Sequence, residues 1–558
     1  KYDGLNGTEL AISESQERMA VIVSKEDTEK FLKFVDEENL LGTVVGYVTD
    51  KNRLTLNWKG KAIVDISIDF LNTNGVQQNI DIEVRDYENE NVFEKFKTSD
   101  SSLEKKWLHN IKKLNVASQK GLVEMFDSSV GAGTILAPFG GKYQMSPTDV
   151  SIMKFPVLDK NTDTASAITW GFNPYISEWS TYHGAIYAVV ESLAKLVAAG
   201  VDYKTARLSF QEYFEKLGKD AYKWSKPFLA LLGAMKAQKD FDVAAIGGKD
   251  SMSGTFNDIS VPPTLISFAV SPVNVHDVIS TEFKKAKNKL YLVENKIDEK
   301  DFLFNSEELK ENFEFVLKNI KDKKIVSAMV IKMGGLAEAL SKMSFGNRLG
   351  FEINNKDVDL FSLKPASILI ETTEELSYKN AIYLGEVSDK FEGKVNGESI
   401  NLENVESVWL NKLKPIFPYK LEEEVETYDI KNKISEKKIY KSSITIAKPR
   451  VVIAAFPGTN SEYDMYNRFN ENGAEAKITL LRNLTQNHLA ESVDQMCKDL
   501  RNSQIFVLPG GFSAGDEPDG SGKFMAAVLQ NPKLMDEIKA FLGRDGLILG
   551  VCNGFQAL

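Results

Sequence analysis

Near its carboxyl end the chain reads Gly550-Val-Cys-Asn-Gly554, a thiol between two glycines where an apolar run gives way to a helix. A cysteine on a sharp strand-to-helix turn exposes its sulfur, and a helix amino terminus favours the thiolate, the form that attacks a carbonyl. Cys552 is therefore the expected nucleophile. The N–H of Asn553, with backbone donors from Gly510 and Gly511 in Pro509-Gly-Gly-Phe-Ser, can receive the oxyanion of a tetrahedral intermediate. Such a nucleophile needs a base, yet of the four histidines, His109, His183, His276 and His488, only the last shares its stretch of chain. His488 follows Thr485-Gln-Asn and reads as a solvent-facing helix start, a poor place for a general base. Cys497, between Met496 and Lys498 on a helix, reads as structural.

A second constellation lies mid-chain in Ala245-Ile-Gly-Gly-Lys-Asp-Ser-Met-Ser-Gly-Thr-Phe256. Gly247 and Gly248 let backbone N–H groups approach a phosphate, Lys249 adds positive charge, and Ser251 offers a hydroxyl. Asp250 can hold a magnesium ion, with Asp149 and Glu191 as further carboxylates from separate segments. A plainer reading is a glycine turn with a solvated Lys249-Asp250 pair. Glu191 has a plainer reading too, since Lys195 lies four residues on in the orientation of a helical ion pair.

Elements must hold these groups in place. The 558 residues are 43% hydrophobic and 26% charged, enough for several packed domains of an ordinary globular protein. A net charge of -11 disfavours a general nucleic-acid surface, so a phosphate ligand would have to be met by local lysines, N–H groups and metal. Two cysteines make neither a disulfide framework nor a zinc site, and no apolar run is long enough to span a membrane. A reduced, cytoplasmic setting with no membrane or nucleic-acid partner is expected. The chain opens on Lys1-Tyr-Asp-Gly and closes within the first turns of a helix, as a piece of a longer polypeptide would.

In chain order, 1–75 predicts part of an α/β domain, with Ala20-Val-Ile-Val23 a buried strand and Leu54–Trp58 pairing with Ala62–Ile66. Residues 76–114 are polar, with helical spacing around Trp107, and read as a connector. Residues 115–275 hold the glycine-rich segments and a long helix from about His183 to Ala199 stopped by Gly200. Residues 276–418 form another α/β domain, 419–447 a charged linker, and 448–558 an alternation of apolar strands and helices that predicts a parallel sheet buried on both faces.

The set Ser13-Glu-Ser-Gln-Glu-Arg-Met, Gly140-Gly-Lys-Tyr, Phe172-Asn-Pro-Tyr-Ile-Ser-Glu-Trp179, Ser209-Phe-Gln-Glu-Tyr-Phe214, Gly247-Gly-Lys-Asp-Ser-Met-Ser, Pro509-Gly-Gly-Phe-Ser and Gly550-Val-Cys-Asn-Gly-Phe-Gln closely resembles the large phosphoribosylformylglycinamidine synthase family. The resemblance covers nearly the whole chain in the right order. It implies an α/β and α+β multidomain protein, with aminoimidazole ribonucleotide synthetase-like A and B domains followed by a partial class I glutamine amidotransferase with a flavodoxin-like sheet. By the same resemblance, 1–75 is the end of a first B domain, 115–275 a second A domain, 276–418 a second B domain and 448–558 the front of the amidotransferase. The implied activity is ATP-dependent conversion of formylglycinamide ribonucleotide and glutamine to formylglycinamidine ribonucleotide, with ammonia released at Cys552 and displacing phosphate at a distant site. Glu14, Ser15 and Gln16 are implied substrate-binding residues, and Mg2+ and ATP the implied cofactor and co-substrate.

The family's intact enzyme implies a monomer, and this piece, without a first A domain or the end of the amidotransferase, is expected to have little activity alone. A non-catalytic nucleotide-binding or structural scaffold is the alternative reading. Two departures bear on the metal. Lys195 stands where the family carries an Asn ligand, and either replaces the metal's charge or pairs with Glu191. Ile331-Lys-Met precedes Gly334-Gly-Leu-Ala, where many relatives carry acidic residues.

Overall fold

Short runs rich in apolar and β-branched residues, bounded by turn residues, form strands in the middle of the chain. In the computed structural model these are β1 (Ser151–Lys154), β2 (Thr164–Gly171), β3 (Arg207–Tyr213), β4 (Ala244–Ser251) and β5 (Thr264–Asn274), in the order β1-β2-β5-β3-β4. Pairing is antiparallel except between β3 and β4. In β5 buried and more exposed positions alternate, the mark of a sheet covered on one face. The covering helices are α1 (Thr181–Ala198) and α2 (Ala221–Phe241). Helix α1 is apolar nearly all round and accordingly buried nearly all round. Ser180 caps its first turn by accepting the His183 N–H, and Gly200, at φ +87°, ends it as expected.

Residues 4–14, 17–73, 79–85, 87, 92–93, 102–157, 160–420, 446–515 and 522–558 are described. They divide into two units, Ile80–Asp429 and Lys1–Asn79 with Ile430–Leu558. Besides the five-stranded sheet, the first holds a seven-stranded one. Its strands are β6 (Lys289–Val293), β7 (Ile325–Val330), β8 (Gly350–Ile353), β9 (Ile368–Thr372), β10 (Ala381–Ser388), β11 (Gly393–Val395) and β12 (Glu398–Ile400), ordered β7-β9-β6-β10-β8-β11-β12. Helices α3 (Ser306–Lys321) and α4 (Gly335–Phe345) follow β6 and β7.

Packing does not break where a domain boundary was expected at 275/276. One apolar core runs through Leu193, Phe210, Phe313 and Ile368. The stretch 76–114 is more than a connector, because its helix Leu103–Ile111 buries Trp107 completely, against Phe351 at 5.8 Å between ring centres. The Trp107 Nε1–H donates to Ser341 Oγ at 2.8 Å, so the indole is satisfied as well as buried.

In the other unit the expected hairpin forms, Arg53–Trp58 antiparallel to Lys61–Ser67 with a bulge at Leu56/Asn57. The buried strand expected at Ala20–Val23 does not form: Ile22 is 84% exposed, and no described strand offers that run a pairing edge. Four parallel strands follow later in the chain, β13 (Arg450–Ala455), β14 (Glu475–Leu480), β15 (Ile505–Leu508) and β16 (Leu547–Gly550), ordered β14-β13-β15-β16. This is the doubly wound order of flavodoxin-like sheets. Its middle strands are buried, but Leu547 on β16 is 63% exposed, contrary to the expectation of a third core strand. Among the described residues nothing covers that side of the last strand. Most of the charged linker expected at 419–447, residues 421–445, lies outside the described residues.

Candidate functional site

Three loops meet at the carboxyl ends of the parallel strands. Cys552 comes two residues after Gly550, which ends β16, with φ +51° and ψ -111°, a strained conformation for a side chain with a Cβ. Strain of this kind is what a nucleophile elbow uses to lift its side chain off the sheet, and the thiol is exposed. The helix after it, α5 (Asn553–Ala557), passes so close to β15 that a Cβ on Gly554 would stand 2.1 Å from the Leu508 carbonyl oxygen. Only glycine fits there.

The glycine loop after β15 lies against the cysteine. A Cβ built on Gly510 would be 3.2 Å from that of Cys552. The Asn553 side chain is fully buried and ties the two loops together, its Oδ1 accepting the Ser513 N–H at 3.1 Å and its Nδ2 donating to Gln556 Oε1 at 3.3 Å. One expected oxyanion donor is committed elsewhere, since the Gly510 N–H donates to Ser461 Oγ at 2.8 Å. The Gly511 N–H has no hydrogen-bond partner among the described residues. Sequence reading passed over Ser461, a polar residue in the turn after β13 with nothing in its spacing to mark it.

His488 is not placed as a base for Cys552. Its Nε2 lies 3.3 Å from Asp36 Oδ1, and the same carboxylate takes Arg482 at 3.0 Å. Cys497 is buried, its Sγ facing the Lys533 carbonyl, and burial pushes its thiol pKa up. Glu14 lies on an exposed stretch after a short helix, while Ser15 and Gln16 lie outside the described residues.

In the Ile80–Asp429 unit, the three carboxylates expected to share a magnesium ion do not converge. No group of three or more His, Cys, Asp or Glu suited to a metal occurs among the described residues. Asp149 instead accepts from Lys332 Nζ at 2.7 and 2.8 Å. Glu191 takes Lys195 Nζ at 2.7 Å, so the plainer reading of the Glu191 spacing is the one observed. The Lys195 side chain has no exposed surface; its ammonium also donates to the Trp170 carbonyl at 2.8 Å and lies 3.9 Å from the centre of the Trp170 ring. A third pair, Lys342 with Glu338 at 2.5 Å, adjoins them on α4, and Glu338 also accepts the Gly334 N–H. Burial alone would raise the Asp149 pKa, but Lys332, Lys195 and Lys342 outweigh it and hold it at about 2. Burial would likewise lower Lys332, and Asp149, Glu338 and Glu191 reverse the direction.

Asp250, the third expected ligand, stands on exposed β4. The double-glycine segment is thus an edge strand rather than a loop, and Gly248 is needed for strand packing: a Cβ there would lie 2.1 Å from the Phe210 carbonyl oxygen. Lys249 is exposed and Ser251 Oγ lies 3.1 Å from Ser253 Oγ. Across the parallel pair, Asp250 is in register with Glu212, which is 5% exposed. Burial and then the Asp250 charge push the Glu212 pKa up to about 7. Sequence reading missed Glu212, because only the strand register brings it beside Asp250.

Two family models match the chain. Residues 448–558 match the CobB/CobQ-like glutamine amidotransferase domain, and residues 2–59 the C-terminal domain of AIR synthase related proteins. The class is therefore an α/β multidomain protein joining an AIR synthase-related domain to a glutamine amidotransferase domain. Over a longer span the chain is similar to phosphoribosylformylglycinamidine synthase subunit PurL, in line with the resemblance its motifs carry. It is 26% identical to the PurL of Thermococcus sibiricus over 370 residues, 63% of this chain and 49% of that protein. It is 28% identical to the PurL of Pyrococcus furiosus over 423 residues, 71% of this chain and 57% of that one. The chain thus spans about half the length of the curated relatives it matches. Among solved structures, T. maritima PurL complexed with ATP aligns with a TM-score of 0.49 at 18% identity, over 70% of this chain and 57% of that one. No helix among the described residues is long and apolar enough to cross a membrane.

Proposed function

We propose that this chain is part of a glutamine-dependent carbon–nitrogen ligase that converts formylglycinamide ribonucleotide, glutamine and ATP to formylglycinamidine ribonucleotide in purine biosynthesis. The observation that carries the reading is the strained, exposed Cys552 beside the Gly510-Gly511 loop, within the segment matched to the amidotransferase model. The thiolate attacks the glutamine side-chain carbonyl, forming a C–S bond, and collapse of the tetrahedral intermediate breaks the C–N bond while the departing nitrogen takes up the proton the thiol gave up and leaves as ammonia. Water then hydrolyses the thioester to glutamate. Asn553 and Gly511 supply the backbone N–H groups that receive the oxyanion, and Gly510 supplies closeness rather than a donor.

In the same reading 1–75, 115–275 and 276–418 are the B, A and B portions of the synthetase, ATP is a substrate that activates the amide oxygen, and Glu14, Ser15 and Gln16 are substrate-binding residues. Gly247, Gly248, Lys249, Asp250 and Ser251 present a nucleotide-facing edge. The relatives are named as a subunit, so the monomer expected from the resemblance is not carried forward. The only histidine sharing a unit with Cys552 is paired with Asp36, and slow glutamine turnover by this chain alone is the expected result.

Treatment with a diazoketone analogue of glutamine, read by peptide mass, tests the amidotransferase assignment. Modification of Cys552 but not Cys497, suppressed by excess glutamine, supports it. Equal modification of both cysteines, or none that glutamine protects, refutes it.

A further inference from the structure

We propose that Lys332 and Lys195 take the place of a divalent cation in this chain, so that Asp149 and Glu191 are permanently neutralised and neither magnesium nor a magnesium-bound nucleotide enters there. The proposed function enters only in saying where a cation would be expected; the rest follows from the side chains.

Each carboxylate already has an ammonium at 2.7 Å. A magnesium ion demands oxygen ligands at about 2.0–2.1 Å in near-octahedral array and keeps several waters, a geometry two lysine-bound carboxylates cannot offer. Admitting the ion beside the lysines would set like charges a few ångströms apart, where they repel one another. Expelling the lysines is no easier. Lys195 is sealed from solvent and fixed by the Trp170 carbonyl and ring, while Lys332 is held by both oxygens of Asp149.

Space gives an independent reason. The cavity that adjoins the pair, lined by Leu136, Asp149, Lys195, Ala198, Thr281 and Met329 among others, measures about 20 Å³. Its enclosed part has room for about one water. Asp250, the third carboxylate expected of the site, is absent from the cluster and stands in register with Glu212 instead.

The two departures noted in the sequence therefore have one physical meaning. Lys332 joins the segment between β7 and α4 to the loop before β1 through Asp149, while Lys195 neutralises Glu191 one turn away on α1 and ties that helix to β2 through the Trp170 carbonyl. Unlike a metal, this link cannot be removed by a chelator.

The test is thermal unfolding of the whole chain with magnesium chloride alone, with magnesium plus ADP, and with EDTA. Wild type and Asp149→Asn are compared with the double variant Lys195→Asn, Lys332→Met. The expected result is a wild-type melting temperature indifferent to magnesium chloride and EDTA, any shift with magnesium plus ADP being the same in Asp149→Asn, and a double variant that gains about 5 °C with magnesium. Magnesium stabilisation of the wild type that Asp149→Asn abolishes overturns the proposal. So does a folded double variant indifferent to magnesium. If the double variant does not fold, the comparison of wild type with Asp149→Asn decides alone. Cys552 labelling reads the other unit, so failure here and failure of the proposed function are told apart.

Discussion

Lys332 Nζ stands 2.7 and 2.8 Å from the two carboxylate oxygens of Asp149, a two-point contact joining the segment after β7 to the loop before β1. Burial opposes ionisation of Asp149 and the neighbouring lysines prevail, so its folded pKa is about 2 against an ordinary 3.8. A depressed carboxylate pKa contributes stability above the unfolded value and loses it as pH falls through the folded one. The pair should contribute about 2 kcal/mol at neutral pH, fading between about pH 4 and pH 2. Urea unfolding across that range measures it, and Asp149→Asn should lower stability at pH 7 by about 3 kcal/mol because it strands the Lys332 charge. A flat pH response for the wild type would contradict the assignment.

Glu212 carries the opposite sign. Its folded pKa of about 7 lies above the ordinary 4.5, from burial first and the Asp250 charge second. A raised carboxylate pKa gives full stability below the unfolded value and loses it as pH rises through the folded one, so the penalty builds between about pH 4.5 and pH 7. Glu212→Gln removes it and should stabilise the chain at pH 8 by as much as about 3 kcal/mol, with no gain at pH 4. Denaturant midpoints for the two proteins at the two pH values decide this. A gain equal at both would mean that packing rather than charge is responsible.

Much of this was legible in the residues and some was not, for identifiable reasons. The parallel sheet at 448–558 and the elbow at Cys552 declare themselves because continuous apolar strands and flanking glycines are local signals. The long helix ending at Gly200 is local in the same way. The magnesium triad failed because spacing along the chain does not say which partner reaches a carboxylate first, and Lys332 lies 183 residues from Asp149. Glu212 and Ser461 were invisible because strand register and loop contact bring them to their partners. Ala20–Val23 misled because an apolar run predicts a strand only if an edge exists to pair with it.

The two cysteines should differ sharply toward an alkylating agent. Cys552 is exposed at a bend, whereas Cys497 is 1% exposed and burial raises its pKa, which disfavours the reactive thiolate. Native iodoacetamide treatment followed by peptide mass should label Cys552 at least ~10-fold faster, and unfolding in guanidinium should bring the rates together. Comparable native rates would place Cys497 at the surface, against the structure.

Trp107 offers a test of whether the segment 76–114 is a connector or part of the Ile80–Asp429 unit. A tether can be altered without loss of stability, but this indole is fully buried, stacked on Phe351 and hydrogen-bonded to Ser341. Replacing it by alanine opens a cavity and should cost about 3–5 kcal/mol. Trp107→Phe keeps a ring against Phe351 but loses the indole N–H, and should cost about 1–2 kcal/mol. Since Ser341 Oγ still donates to the Ala337 carbonyl, the hydroxyl is not stranded by that change. Calorimetric unfolding of the two variants should therefore rank wild type above Trp107→Phe above Trp107→Ala. Melting temperatures unchanged in both would return 76–114 to the status of a linker.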